Sequence, residues 1–322
     1  MSKSLSNAYH NLSLMLASGV PIKRCFEAAA KATKGKEARA FNAVSADVMK
    51  GMTVQESMAQ YEVFSQMDIM IVDAGEQSGK LAECVKQLSE WHGFVYKLRR
   101  TVRSGMVLPV LILHIAAPLI QIPKVALGGA SISEGIFGIV KTLMVFYVPL
   151  IITVLIVKFA GPESAARAIL DKIAMRIPLL GKAMMAMALA RFTRAFSTLY
   201  SAGVPITVCA KKAVSMTGNE VVRRQLAETE TSVMAGDEMW KGFSSKLPPE
   251  LIESWQVGEE SGELDKVSQR LAKVYQDKAE FLFEQFAEWL PKVAYAIVAI
   301  IMIINIFKGF GAIYGGIIER GM

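Results

Sequence analysis

Histidine and cysteine are scarce in this chain of 322 residues, three of each. An odd cysteine count without framework spacing argues against a disulfide scaffold and suits a reduced, cytosolic setting. His10 and His92 have no cysteine or carboxylate set at metal-ligand spacing, and no nucleophile–base arrangement stands out. Neither a metal, a cofactor nor an enzyme is therefore expected. β-Type alternation is also scarce, which leaves helices. The net charge of +7 comes from basic residues dispersed among acidic ones. With no motif interleaving basic and aromatic residues, nucleic acid is not an expected partner. What the chain does have is 52% hydrophobic residues and a mean hydropathy of +0.35, alongside 20% charged residues. That combination describes a protein part membrane-embedded and part water-soluble.

The same short text occurs twice. Gly19-Val20-Pro21-Ile22 returns as Gly203-Val204-Pro205-Ile206, and Gly75-Glu76-Gln77-Ser78-Gly79-Lys80-Leu81 returns as Gly258-Glu259-Glu260-Ser261-Gly262-Glu263-Leu264. Gly19 and Gly203 are 184 positions apart and Gly75 and Gly258 are 183 apart, so register holds over a long interval. Leu108-Pro109 and Leu290-Pro291 open two apolar runs at almost the same offset. The repeat unit is a polar domain followed by a membrane span. Cys25 and Cys209 share the 184-residue offset, which reads as one small buried side chain in two domains.

Three spans are expected, at 105–123, 136–160 and 290–307, each close to the roughly 20 residues that cross a hydrocarbon core. The first carries Pro109, His114 and Pro118, which a membrane helix tolerates when neighbours satisfy the freed backbone groups. Lys97, Arg99, Arg100 and Arg103 precede the first span, and Lys158, Arg167, Lys172 and Arg176 follow the second. By the positive-inside rule the polar segments 1–104 and 161–289 face the cytoplasm, the loop 124–135 lies outside, and the tail 308–322 ends outside. The first and third spans then run in the same direction. The apolar stretch Leu12 to Ala17 is not a signal peptide, because its counterpart Phe196 to Tyr200 lies deep inside the chain.

Within each polar segment apolar residues recur at helical spacing, as in Leu81, Val85, Leu88 and Trp91. Gly-Val-Pro, Lys34-Gly35 and Gln77-Ser78-Gly79 punctuate the first, and Thr53 ahead of Glu56 reads as a capping box. The expected fold is an all-α membrane protein: two homologous cytoplasmic bundles of about six helices each and three transmembrane helices, the last helix of each bundle continuing toward its span. In the second bundle, helices are expected at Arg191–Tyr200, Ile206–Met216, Val221–Met234 and Pro249–Val257, with a short element at Met239–Phe243 and a long helix from Leu264.

The Gly-Glu-x-Ser-Gly-x-Leu motif is not a phosphate loop: three residues separate its glycines instead of four, and Leu81 follows Lys80 where Ser or Thr is required. A helix–turn–helix accounts for Gly79 and Gly262, for Ser78 and Ser261 bonding nearby main chain, and for Leu81 and Leu264 re-entering the core. It does not account for Glu76 and Glu259. Each sits near the C-terminal end of its helix, where the dipole disfavours a carboxylate, so each calls for a partner: a basic side chain, backbone donors or a cation. Structural pairing and contact with another subunit both stay open. His114 reads either as a functional ionisable group in the membrane or as a neutral imidazole bonded to a carbonyl freed by Pro118. Lys141 is expected to snorkel and Asn305 to bind neighbouring helices.

Two all-α domains with these doubled motifs, Gly19 and Pro21 with Gly203 and Pro205, and Gly75 to Leu81 with Gly258 to Leu264, resemble the type II secretion F family, the inner-membrane platform proteins of type II secretion and type IV pilus assembly (PilC-like). The resemblance spans nearly the whole chain. It implies a bacterial inner-membrane scaffold whose cytoplasmic bundles engage a hexameric assembly ATPase, and whose membrane part, alongside other inner-membrane assembly proteins, receives pilin or pseudopilin subunits. It also implies a homo-oligomer. Many members carry a further N-terminal segment; here the first bundle begins almost at once, as in shorter type IVb-like members. Lys31, Lys34, Lys36 and Arg39 in the first bundle, and Lys211, Lys212, Arg223 and Arg224 in the second, occupy comparable helix ends and are candidate contacts for an acidic ATPase rim. The rival reading, a small transporter or permease subunit working as an oligomer, needs a polar midplane cavity for which only His114 and Asn305 are available.

Overall fold

The computed structural model describes residues 3–126, 131–159 and 164–320, with side chains at 123–124, 126, 146, 150, 157–159, 167, 301–302, 305–306 and 308–320 outside the described set. Every regular element in it is a helix. Two compact units emerge, one formed by Met1–Arg99 with Asp171–Leu282, the other by Arg100–Leu170 with Phe283–Met322.

The first unit holds both repeats. In the first, α1 (Lys3–Ala17), α2 (Ile22–Lys31), α3 (Gly35–Met49), the short α4 (Val54–Met58) and α5 (Gln66–Ser78) lead to α6 (Leu81–Ala126). Each boundary has a local cause. Gly19, at φ +73°, closes α1 as its N–H bonds the Leu16 carbonyl (3.0 Å) and the Val20 N–H bonds the Met15 carbonyl (3.0 Å), a Schellman turn. Pro21 then sets the entry to α2. Thr53 and Ser65 cap α4 and α5 through reciprocal boxes with Glu56 and Asp68. Phe41 centres the core, with Phe64 edge-on at 5.3 Å and Tyr9 at 5.9 Å.

The second repeat follows after α7 (Ile132–Phe159) and comprises α8 (Ala165–Arg176), α9 (Leu180–Ser201), α10 (Ile206–Ser215), α11 (Glu220–Gln225), α12 (Thr229–Met234), a 3-10 turn (Met239–Gly242), α13 (Pro249–Glu260) and α14 (Leu264–Arg320). Gly203 (φ +87°) and Pro205 reproduce the first turn: the Gly203 N–H reaches the Tyr200 carbonyl (2.9 Å) and the Val204 N–H the Leu199 carbonyl (3.1 Å). Here Trp255, fully buried, takes the centre against Phe196, Phe192 and Phe243.

This repeat is more divided than its sequence pattern suggests. The helix expected over Val221–Met234 breaks between α11 and α12, because the Ser244 N–H takes the Gln225 carbonyl (2.9 Å) and the Thr229 hydroxyl takes that of Leu226 (2.7 Å). Gly242 backs onto the break so closely that a Cβ there would lie 2.7 Å from Glu228 and Thr229 main chain. α9 begins at Leu180, eleven residues before the expected Arg191, after a tight turn in which Leu179 adopts φ +68° and Gly181 presses against Met175 main chain.

Among the described residues, two helices are long and apolar enough to cross a membrane, through the segments Leu81–Ile122 on α6 and Ile132–Ile156 on α7. Their side chains are largely uncovered, among them Leu111, Ile115, Ile122, Phe137 and Val145. α6 and α14 approach at Gly105, where a Cβ would sit 2.7 Å from the Ala287 Cβ and 2.9 Å from its carbonyl oxygen. The third expected span falls on the end of α14, and part of the loop at 124–135 and the side chains of the tail at 308–322 lie outside the described residues. α14 itself runs on past position 307 to Arg320.

Candidate functional site

The doubled motif forms an elbow at the base of α6 and again at the base of α14. Gly79 and Gly262 close α5 and α13 at φ +70° and +71°, a left-handed conformation costly to a residue with a Cβ. Gly75 and Gly258 serve a different need, close approach: a Cβ on Gly75 would lie 3.0 Å from Leu81 Cα and Cys84 Cβ, and one on Gly258 3.0 Å from Val267 Cβ. Ser78 donates to the Ala74 carbonyl at 2.6 Å, whereas Ser261 reaches the Gly258 carbonyl only at 3.5 Å. Leu264 is buried and Leu81 half-buried.

The two glutamates find backbone donors. Glu76 accepts the N–H groups of Val54 (2.8 Å) and Gln55 (2.9 Å), the start of α4. Glu259 accepts those of Met239 (2.8 Å) and Trp240 (3.0 Å), the start of the 3-10 turn. Each carboxylate, misplaced with respect to its own helix dipole, faces the unsatisfied N–H groups of another helix start, where negative charge is favoured. Burial pushes the Glu259 carboxyl up, opposed by the bonds from Trp240 and Met239. The elbow is thereby tied to the short helix that precedes it in both repeats.

Cys25 and Cys209 are fully buried and donate to the Val20 (3.3 Å) and Val204 (3.2 Å) carbonyls inside the Gly-Val-Pro turns. Burial pushes the Cys209 thiol up to about 12. Neither is a reactive thiol.

The four second-bundle cations proposed from sequence all meet carboxylates of this chain. Lys211 pairs with Glu230 (2.9 Å), Arg223 and Arg224 both clasp Glu220 (2.6 and 2.8 Å), and Lys212 reaches Asp73 of the first repeat (3.3 Å). These bonds, that from Arg223 foremost, hold the Glu220 carboxyl below its usual range. By contrast, Lys31, Lys34, Lys36 and Arg39 are exposed and form no ion pair among the described residues. His114 donates its Nδ1–H to the Val110 carbonyl (2.8 Å), four residues back, and lies edge-on to Tyr147 at 5.9 Å. Asn305 has its side chain outside the described residues.

Two features escape sequence reading. The first is a buried polar cluster in the first repeat: Asp68 and His92 bond at 2.7 Å with their side chains fully inaccessible, and Tyr9 stacks on the imidazole at 5.0 Å. The positions aligned with Asp68 and His92 in the second repeat carry Leu251 and Tyr275. The second is the seam between the repeats, where Lys80 donates to the Ser201 carbonyl (2.7 Å), Thr198 bonds Gln87, and Arg194 lies between Gln276 (2.6 Å), Glu90 (3.6 Å) and the Trp91 ring. Among the described residues no three His, Cys, Asp or Glu side chains gather as a metal would need.

The model of the family described as type II secretion system (T2SS), protein F matches residues 8–120 and again residues 192–307. The chain belongs to that family. The two matches start 184 residues apart, so each repeat is one copy of the family's domain. Similar proteins include the type II secretion system protein F of Vibrio cholerae, 25% identical over 81% of this chain and 70% of the relative. The type IV pilus assembly protein PilC of Pseudomonas aeruginosa is 22% identical over 90% of this chain and 84% of its own length. That of Thermus thermophilus is 24% identical over 86% and 74%. In this family member each copy therefore contains one capped elbow and the start of one long helix.

Proposed function

We propose that this chain is the inner-membrane platform of a type IV pilus or type II secretion machine, coupling a hexameric cytoplasmic assembly ATPase to insertion of pilin or pseudopilin subunits into a filament. It acts as a scaffold and not as an enzyme, works as an oligomer, and spans the bilayer three times with its N-terminus and both bundles in the cytoplasm. The observation that carries the reading is the continuity of the two long helices: α6 starts at a capped elbow in the first repeat and runs unbroken into an apolar segment, and α14 repeats the arrangement. A helix anchored at its base by backbone-capping bonds carries a displacement of its bundle along its axis as far as Pro109 on α6 and Pro291 on α14, where a helix can bend.

The ATPase contact is assigned to the exposed first-bundle cations Lys31, Lys34, Lys36 and Arg39, which form no ion pair among the described residues, together with the exposed Lys211 and Arg224. Lys212 and Arg223 take part through intrachain pairs. Co-purification of the platform with its cytosolic ATPase tests this directly. Reversing Lys31, Lys34, Lys36 and Arg39 together is expected to abolish both co-purification and filament assembly while the protein inserts normally. Normal filament yield from that variant refutes the assignment, and failure of the wild-type chain to co-purify with any such ATPase refutes the function.

A further inference from the structure

The seam between the repeats is closed on one side, at α5, α6 and α9, and open on the other. The opening is a groove of about 890 Å³ between α6 and α14 with Arg194 on its floor. Its walls are built from equivalent positions of the two repeats: Glu83 and Glu90 on α6 correspond, at the 183-residue offset, to Lys266 and Lys273 on α14. Lys86 and Gln87 correspond in the same way to Gln269 and Arg270, and all eight line the groove.

Two of these equivalent positions carry opposite charges, Glu83 against Lys266 and Glu90 against Lys273, and the pattern extends to both sides: Lys80 against Glu263 and Lys97 against Glu280. Where equivalent residues of parallel helices face each other, opposite charge at each position makes the mixed pair favourable and the like pair repulsive. One pair is made, Lys97 with Glu280, at the end of the seam toward the apolar runs. Along the groove no ion pair joins α6 to α14 among the described residues: Lys266 turns to Glu263 just ahead of its own helix, and Glu90 reaches only Arg194. Complementary walls line an unfilled groove.

We propose that the groove is the open state of a clamp. The two repeats hinge along the closed side of the seam, where Lys80 holds the Ser201 carbonyl and Thr198 holds Gln87, with the Lys97–Glu280 pair fixing one end, and closure joins Glu83 to Lys266 and Glu90 to Lys273 as a charge zipper. Closure moves the elbow ends of α6 and α14 toward each other. The inference concerns the cytoplasmic unit alone and does not depend on which partner drives the motion. Each exposed pair biases the closed state by roughly two- to fivefold, so the two together shift the closed-to-open ratio by about tenfold.

The test is pulsed dipolar spectroscopy on the full chain in lipid nanodiscs, with spin labels at Lys86→Cys and Gln269→Cys, exposed equivalent positions on opposite walls. The native Cys25, Cys84 and Cys209 are buried and stay unlabelled. A short-distance population is expected at low salt, depleted at about 1 M salt, where the screening length falls to about 3 Å. It is expected to fall about tenfold in E83K/E90K and to return in the exchange variant E83K/E90K/K266E/K273E. A single distance indifferent to salt and charge, or a loss that the exchange does not restore, overturns the proposal. Disulfide formation between the same two cysteines under mild oxidation is the second reading, and its absence at low salt overturns the proposal as well.

Discussion

Glu259→Ala removes the acceptor of two backbone N–H groups that no other acceptor among the described residues satisfies. The Met239 N–H belongs to a residue with no exposed surface, and the Trp240 N–H to one that water reaches in part. An unpaired buried donor costs about 1–3 kcal/mol and a lost helix-start cap about 1 kcal/mol. The carboxylate is itself half-buried, which pushes its pKa up, and removing it recovers some of that cost. The lower part of the range therefore applies, a net loss of about 2–3 kcal/mol, concentrated at the 3-10 turn and its junction with α13. At about 1.4 kcal/mol per factor of ten, amide exchange at Met239 and Trp240 is expected to accelerate roughly 30- to 150-fold. Glu76→Ala is expected to act the same way at Val54 and Gln55. Glu259→Gln keeps one accepting oxygen and turns an NH₂ toward the other donor, so about half the loss is expected. Hydrogen exchange with mass spectrometry on the detergent-solubilised chain measures these sites separately. Unchanged protection at 239–240 in Glu259→Ala, with insertion intact, would refute the capping argument and return the glutamates to an intermolecular role.

Other expectations rest on independent contacts. His92→Leu leaves the fully buried Asp68 with the Ser65 N–H but without its side-chain partner and is expected to cost about 3–5 kcal/mol by denaturant or thermal unfolding, whereas D68L/H92Y, which installs the side chains of the second repeat, is expected to recover that loss except for about 1 kcal/mol of the Ser65 cap that Asp68 completes. Gly79→Ala and Gly262→Ala force a Cβ into left-handed backbone and are expected to lower stability by about 1–2 kcal/mol each, with no added effect of Gly79→Asn beyond about half that value. Glu220 has a folded pKa depressed below its ordinary value by Arg223 and Arg224, so its contribution is present above the ordinary glutamate range and is lost as pH falls through the folded value. A pH-resolved melting series should show that loss below about pH 4.5, and Glu220→Gln should abolish it. Gly105→Leu drives a side chain into Ala287 main chain and is expected to separate α6 from α14, detected as loss of crosslinking between cysteines placed one turn away on each helix.

Features governed by local backbone chemistry were readable in the residues. Gly19, Gly79, Gly203 and Gly262 all take positive φ, and the helix stops they mark follow from that requirement alone. The Thr53 box is equally local, spanning three residues to Glu56. The duplication was readable because both copies keep those demands at a constant offset. The partners of Glu76 and Glu259 were not, since Val54 and Met239 lie 22 and 20 residues away and a glutamate's spacing carries no mark of which helix start it will meet. The Asp68–His92 bond crosses 24 residues between helices and was invisible for the same reason. The break between α11 and α12 defeats periodicity because it is imposed from Ser244 and Gly242, outside the helix it interrupts.

Read alone, the residues of this chain settle its helical class, its two-fold duplication and the position of each elbow, because turn conformations and apolar periodicity are properties of short stretches. Tertiary structure decided the rest: that the motif glutamates cap neighbouring helix starts, that Lys212 meets Asp73 of the other repeat, and that the two repeats leave a charge-matched groove between α6 and α14. Those pairings join residues 19 to 183 positions apart, and which carboxylate a cation or an N–H group meets is set by how helices pack. Packing depends on the whole core at once, and no single segment encodes it.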